Sequence, residues 1–160
     1  MSIAAVRDYF DQFGMAGKVL EFDVSSATVD LAAQAVGVIP ARIAKSLSFK
    51  VDGKAILILA AGDAKVDNPK FKHFFHTKAK MLTPEEVVDL VGHAIGGVCP
   101  FAIKEDVAVY LDVSLKRFDT VFPAAGSASS AIELTCAELE QYAQNFVAWG
   151  DFCKGWQEEA

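Results

Sequence analysis

Apolar residues recur at helical spacing near the start of the chain, with Ile3, Val6, Phe10 and Phe13 on one side and Gly14 as a stop signal. A second helix is predicted over "SSATVDLAAQAVG", with Ser25 and Ser26 as cap candidates and Gly37 just past its end. "PARIAK" reads as a short helical turn that delivers Lys45 to the next element. There the period changes. Leu47, Phe49 and Val51 alternate up to Asp52-Gly53, a dipeptide suited to a two-residue hairpin turn, and an aliphatic run from Ala55 to Ala60 follows. That run is apolar at every position, so its strand is expected at the centre of a sheet covered on both faces.

Asn68-Pro69 opens a short helix in which Phe71, Phe74 and Phe75 are expected to pack into the core. "TPEEVVDLVG" carries a capping box in Thr83 and Glu86, Pro84 at its first position and Gly92 at its end. "VAVYLDVSL", "FDTVFPAAG" and "SAIEL" read as further strands. Thr135 and Glu138 form a second capping box, opening a helix expected to reach about Phe146, and residues 147–160 form a tail with two Trp. The pattern predicts an α+β fold: one mixed-sheet domain over residues 1–160, with about six strands and helices packed around them.

Composition narrows this picture. The chain has 160 residues, 52% of them hydrophobic and 22% charged, which suits one core of ordinary size and excludes a disordered chain. It lacks a long apolar run and a basic-then-apolar start, so a cytoplasmic protein with no membrane partner is expected. Cys99, Cys136 and Cys153 are odd in number and widely spaced, so no disulfide framework is expected. A net charge of −6 argues against a long-range, non-specific grip on nucleic acid, and DNA is not expected as a partner. One local exception stands out: Lys65, Lys70, Lys72, Lys78 and Lys80 fall close together and only Asp67 opposes them, a basic patch or a solvated face.

Candidate chemistry concentrates in "GHAIGGVCP", Gly92 to Pro100. Gly96 and Gly97 lack a Cβ, so a ligand can approach the main chain and consecutive N–H groups can form an anion-binding concavity. In acyl transfer such a concavity holds the oxyanion of the tetrahedral intermediate, each donor lowering the barrier by roughly 2.7–4 kcal/mol. Cys99 with His93 is a second option, a nucleophile and its base, which requires the loop to fold back on itself. An inert buried thiol suits cysteine equally. His73 and His76 are three residues apart with no third ligand nearby, so neither a metal nor a cofactor is expected. Asp63 and Asp67 flank a turn and suit local backbone capping.

Four blocks in order, "VIPARIAKSLSFKVDGKAILILAAGD", "GDAKVDNPKF", "GHAIGGVCPF" and "VYLDVSLKRFDTVFPAAGSASSAIELTCAEL", resemble the YbaK/prolyl-tRNA synthetase-associated domain family of aminoacyl-tRNA editing deacylases. The resemblance spans nearly the whole chain up to about residue 146. It places the family's functional lysine on Lys45 and its GxxxP loop on Gly96 to Pro100, with Gly96 and Gly97 binding the ester carbonyl. Asp63, His93, Cys99, Pro100, Gly126 and Ser127 then border the substrate. Ser127, Ala128, Ser129 and Ser130 stand where relatives carry basic and glycine residues, and Cys99 where relatives often carry serine. The resemblance implies removal of a mischarged small amino acid from the 3′ end of tRNA, alongside an aminoacyl-tRNA synthetase as partner. A Cys99/His93-dependent hydrolase or transferase, and a non-catalytic module that binds tRNA or a synthetase, are the alternatives.

Overall fold

The computed structural model describes residues 3–156. In chain order the elements are α1 (Ile3–Asp11), β1 (Val19–Glu21), α2 (Val29–Val36), β2 (Ile43–Val51), β3 (Lys54–Ala61), β4 (Lys65–Val66) and α3 (Asn68–Phe75). There follow α4 (Pro84–Glu86), β5 (Ala108–Asp112), β6 (Thr120–Pro123), β7 (Ser130–Ile132), β8 (Leu134–Thr135), α5 (Cys136–Tyr142), β9 (Phe146–Gly150) and β10 (Cys153–Lys154). Six strands make one mixed sheet in the order β8-β6-β2-β3-β5-β9, and β1 with β7 and β4 with β10 form separate antiparallel pairs. The fold is the expected α+β arrangement around a six-stranded mixed sheet.

The hairpin at the centre follows from its turn. Asp52 and Gly53 both take positive φ, 52° and 78°, which is the primed turn whose twist matches two antiparallel strands. The turn fixes the register, and Lys45 lies opposite Ala60. Every residue of β3 from Ala55 to Ala61 is buried, between antiparallel β2 and parallel β5. Leu57, Ile58 and Leu59 are fully buried, and each such side chain contributes about 1.5–3 kcal/mol relative to exposure. Of the α3 aromatics, Phe71 packs into the core as expected and lies 4.6 Å by ring centroid from half-buried Phe75, whereas Phe74 stays 42% exposed, its ring resting 4.9 Å from Phe152 at the core's edge.

A smaller apolar cluster seats α2. Ala32 and Ala33 of the helix meet Ile43 of β2 and Phe122 of β6. This contact sets the loop before α2 above the β2–β6 side of the sheet, which becomes one wall of the site. The expected caps Ser25 and Ser26 are not the caps. Thr28 is, its hydroxyl accepting from Leu31 N at 3.2 Å, while the Ser26 amide donates to Ala128 O at 2.6 Å. Both predicted capping boxes form, at Thr83/Glu86 and Thr135/Glu138. The helix after Thr83 widens into a π turn over Val87–Val91 and ends with Gly92 N donating to Val87 O.

The end of the chain departs from expectation. The last helix stops at Tyr142, not near Phe146. Asn145 then takes a left-handed φ of 56°, and its side-chain amide donates to Lys104 O and Val107 O at 3.1 and 2.9 Å. This long-range clamp redirects the chain. Phe146–Gly150 then becomes the edge strand β9 beside β5, and Cys153–Lys154 pairs with β4. Residues 157–160 of the expected tail lie outside the described residues. Among the described residues, no helix is long and apolar enough to cross a membrane.

Candidate active site

Three loops converge above the outward face of β2. They are the residues before α2, the segment Ala94–Val98, and the stretch from Ala124 to Ser130. The Gly96 Cα, at φ 95°, faces Ala27 and Ala128, whose Cβ atoms would lie 3.2 and 3.3 Å from a Cβ built on it. Gly97 packs closer still. A Cβ there would stand 2.6 Å from Ser127 N and 2.7 Å from Gly126 C, so only glycine lets the two loops touch backbone to backbone. Between the loops and the sheet lies a cleft of about 250 Å³. Its floor is small and largely apolar, with Ala32, Ala44, Phe122, Ala124 and Ala131, and its rim carries the exposed side chains of Ile95 and Met81.

The main-chain donors differ from the expected pair. Gly97 N donates to Ala94 O at 3.0 Å and closes the turn, so this amide is not free for a ligand. Among the described residues, the amides of Ile95, Gly96 and Val98 have no protein acceptor, and all three residues line the cleft. The unpartnered amides therefore stand on either side of Gly97, which is the close-packed hinge between the two loops.

Lys45 stands where this cleft meets a neighbouring one, and it lines both. Its ammonium donates to Gly62 O at 3.4 Å and to Ala64 O, carbonyls on either side of Asp63 in the turn after β3. Burial pulls the Lys45 pKa below its ordinary value, while Cys153 and Asp63 nearby oppose that shift. Asp63 itself does not line the cleft. It holds Arg117 in a bidentate pair at 2.6 and 3.0 Å, and that hydrogen-bonded guanidinium lowers its carboxyl pKa. Asp63 shapes the turn that holds Lys45.

The loop does fold back on itself, bringing Cys99 Sγ to 3.6 Å from His93 Nε2. The pair is nonetheless unfit for nucleophilic work. His93 Nε2 lies 2.7 Å from Phe101 O, a group that only accepts, so this nitrogen carries a proton and cannot take one from the thiol. Both residues are fully buried, outside the cleft lining. Burial pushes the Cys99 thiol up to about 12 and lowers His93, so the thiolate and the imidazolium are both disfavoured. Pro100 is buried too, its carbonyl accepting from Gln144 N at 2.9 Å.

Of the late segment, Gly126 (φ 95°) turns the chain against Gly97, and Ser127 is tied into its own turn. Ser127 Oγ donates to Ser130 Oγ at 2.8 Å and accepts from Ser129 N at 3.3 Å. Ser130, not Ser127, reaches the cleft. Ser26, expected as a helix cap, lines the cleft from its loop instead, and Ser46 and Ser48, not among the expected site residues, line it from β2. A signal for the last two was present, because they alternate with Leu47 and Phe49 and so occupy the opposite face of the strand. Asp67 caps α3 by accepting from Lys70 N at 3.1 Å.

The site is a small-residue cleft held by the loops of a mixed sheet, with unpartnered amides on its wall and a lysine at its edge. A family model described as an aminoacyl-tRNA editing domain matches residues 24–142, and the chain belongs to that family. The uncharacterized protein YwhH of Bacillus subtilis (strain 168) is 56% identical over 158 residues, covering 98% of this chain and all of that protein. The proline–tRNA ligase of the same organism is 38% identical over 73 residues, 45% of this chain but only 13% of the ligase. A solved structure described as a candidate trans-editing enzyme for prolyl tRNA synthetase superposes with a TM-score of 0.85 at 32% identity, covering 96% of this chain and 97% of that one.

Proposed function

We propose that this protein hydrolyses the ester between a mischarged small amino acid and the 3′ end of a tRNA. The observation that carries the reading is the run of unpartnered amides at Ile95, Gly96 and Val98 on the wall of a small, largely apolar cleft; Gly96 and Val98, on either side of the Gly97 hinge, are assigned to the carbonyl oxygen. An acyl carbonyl directed at those donors gains charge as water adds to its carbon, and fixed donors stabilise that charge most in the transition state. The bond from the carbonyl carbon to the ribose oxygen then breaks, and the proton from the attacking water passes to the departing ribose, whose own vicinal hydroxyl assists. The buried Cys99 and His93 take no part. Lys45, at the cleft border, holds the terminal nucleotide as a fixed cation.

The small residues Ala32, Ala44, Ala124 and Ala131, with Phe122 among them, leave a cleft of about 250 Å³ that suits a small side chain. Small amino acids are the ones that synthetases fail to reject by binding, since a methylene is worth only about 1–3 kcal/mol. The described role of the structural neighbour and the similarity to part of a proline–tRNA ligase support a tRNA mischarged by that synthetase as substrate. The test is a deacylation panel over tRNAs charged with each small amino acid, comparing wild type with Lys45→Ala. The reading requires at least one ester to be released faster than in buffer. A protein that slows release throughout the panel would be a non-catalytic binder.

A further inference from the structure

The cleft does not end at Lys45. A second groove shares Lys45 and Met81 with it and also takes in Lys65 of β4. A third shares Asn68 and Ala79 with the second and takes in Lys72 and Lys78. The three depressions therefore adjoin one another in sequence along one face, about 250, 320 and 480 Å³ in turn. The fold builds its outer end deliberately. His76 takes a left-handed φ of 61° after α3 and turns the chain, and Lys78 beyond it lines the same depression as Lys72 of the helix. The returning segment is then pinned to β2, with Lys50 N donating to Lys80 O at 2.9 Å and Leu82 N to Ser48 O at 3.2 Å.

The charge of this path is opposite to that of the molecule. The chain carries −6 overall, yet no Asp or Glu lines any of the three depressions. The nearby carboxylates are occupied: Asp63 by Arg117, Asp151 by Lys70 and Asp67 by the α3 amide it caps. Among the described residues, Lys65, Lys72 and Lys78 have no carboxylate partner. Unneutralised ammonium groups lining a groove are matched by a ligand that brings regularly spaced anions. Elsewhere the acidic surface repels such a ligand, which restricts it to this face and orients it.

We infer that Lys65, Lys72 and Lys78 form a phosphate track for the single-stranded RNA that leads to the terminal nucleotide. The inference rests on the reading of the cleft as the aminoacyl-ester site. Lysine suits the task because phosphodiesters need point charges on a flexible stem and no base-specific geometry. The track contributes affinity and direction, while the ester chemistry stays at Gly96 and Val98.

The test is a triple variant, Lys65→Gln with Lys72→Gln and Lys78→Gln, assayed on two substrates. One is the mischarged tRNA; the other is the same amino acid esterified to adenosine, which has no phosphodiester. The track predicts a KM for the tRNA raised about tenfold or more with kcat within about twofold, and unchanged hydrolysis of the adenosine ester. Binding of an uncharged RNA hairpin ending in CCA should lose about 2 from its log–log salt slope, three contacts at roughly 0.7 each. An unchanged KM and salt slope, or an equal loss on both substrates, overturns the track. If the wild type hydrolyses neither ester, the cleft reading fails, and the hairpin's salt slope still decides the track by itself.

Discussion

The nine residues from Gly92 to Pro100 have two sides that behave oppositely. On one side His93, Cys99 and Pro100 are buried and turned inward, the imidazole on Phe101 O and the proline carbonyl on Gln144 N. On the other, Ile95, Gly96 and Val98 line the cleft, and their amides have no protein acceptor. The reactive residue types are the structural ones, and on the proposed reading the plain main chain does the chemistry. What separates them is solvation: a buried thiol at about 12 cannot attack, whereas an unpaired amide needs no ionisation to donate.

The contrast breaks most severely at Gly97→Ala. The new methyl would collide with the backbone of Gly126 and Ser127, so the loops must separate. Overpacking of this kind costs about 1–3 kcal/mol, roughly 2–4 °C in Tm per kcal/mol for a chain of this size. Deacylation should fall at least ~100-fold, since small misplacements of the donors are expensive. Wild-type activity would show that the loop contact does not position the site. Lys45→Ala comes next. Loss of a charge-assisted contact of about 1.5–3 kcal/mol predicts a ~10–100-fold drop in kcat/KM on tRNA.

The buried side should reveal itself in stability as a function of pH. His93 has a lowered pKa in the fold, so below its ordinary 6.5 the unfolded chain binds a proton that the folded one resists, and stability falls with pH. Cys99 is raised, so stability present below 9.0 is lost as pH climbs from there to about 12; Cys153 behaves alike. Chemical denaturation across pH, with the His93 imidazole followed by NMR, measures both trends. An imidazole titrating above 6.5 would contradict the buried, neutral assignment. The smallest effect is expected for Cys99→Ala, which should cost about 1 kcal/mol of packing yet leave deacylation within about twofold. Complete loss of activity in a folded variant would restore the thiol to the chemistry.

Local rules made much of this legible. Asp52-Gly53 and the two Thr/Glu capping boxes are short-range devices, and each stands where the sequence places it. The apolar run Ala55–Ala60 announced the centre of the sheet for the same reason. The failures are long-range. Nothing near Tyr142 says that Asn145 will be clamped by carbonyls at Lys104 and Val107, and so nothing announces β9. In the site, the glycine pair was visible, but which amide stays free depends on the turn closed at Ala94 and on the loop at Gly126–Ser127. Ser26 was read as a cap because serine before a helix usually is one; Thr28, nearer the helix, takes that role and leaves Ser26 to the cleft wall.

The most direct test removes one hydrogen-bond donor and nothing else. Glycolic acid in place of glycine at position 96 turns that amide into an ester and deletes its N–H without adding an atom to the cleft. Single-turnover deacylation of mischarged tRNA should then slow about 100-fold or more, the usual effect of losing one oxyanion donor, with the fold unchanged. A rate equal to wild type would contradict the assignment of the Gly96 main chain to the developing charge.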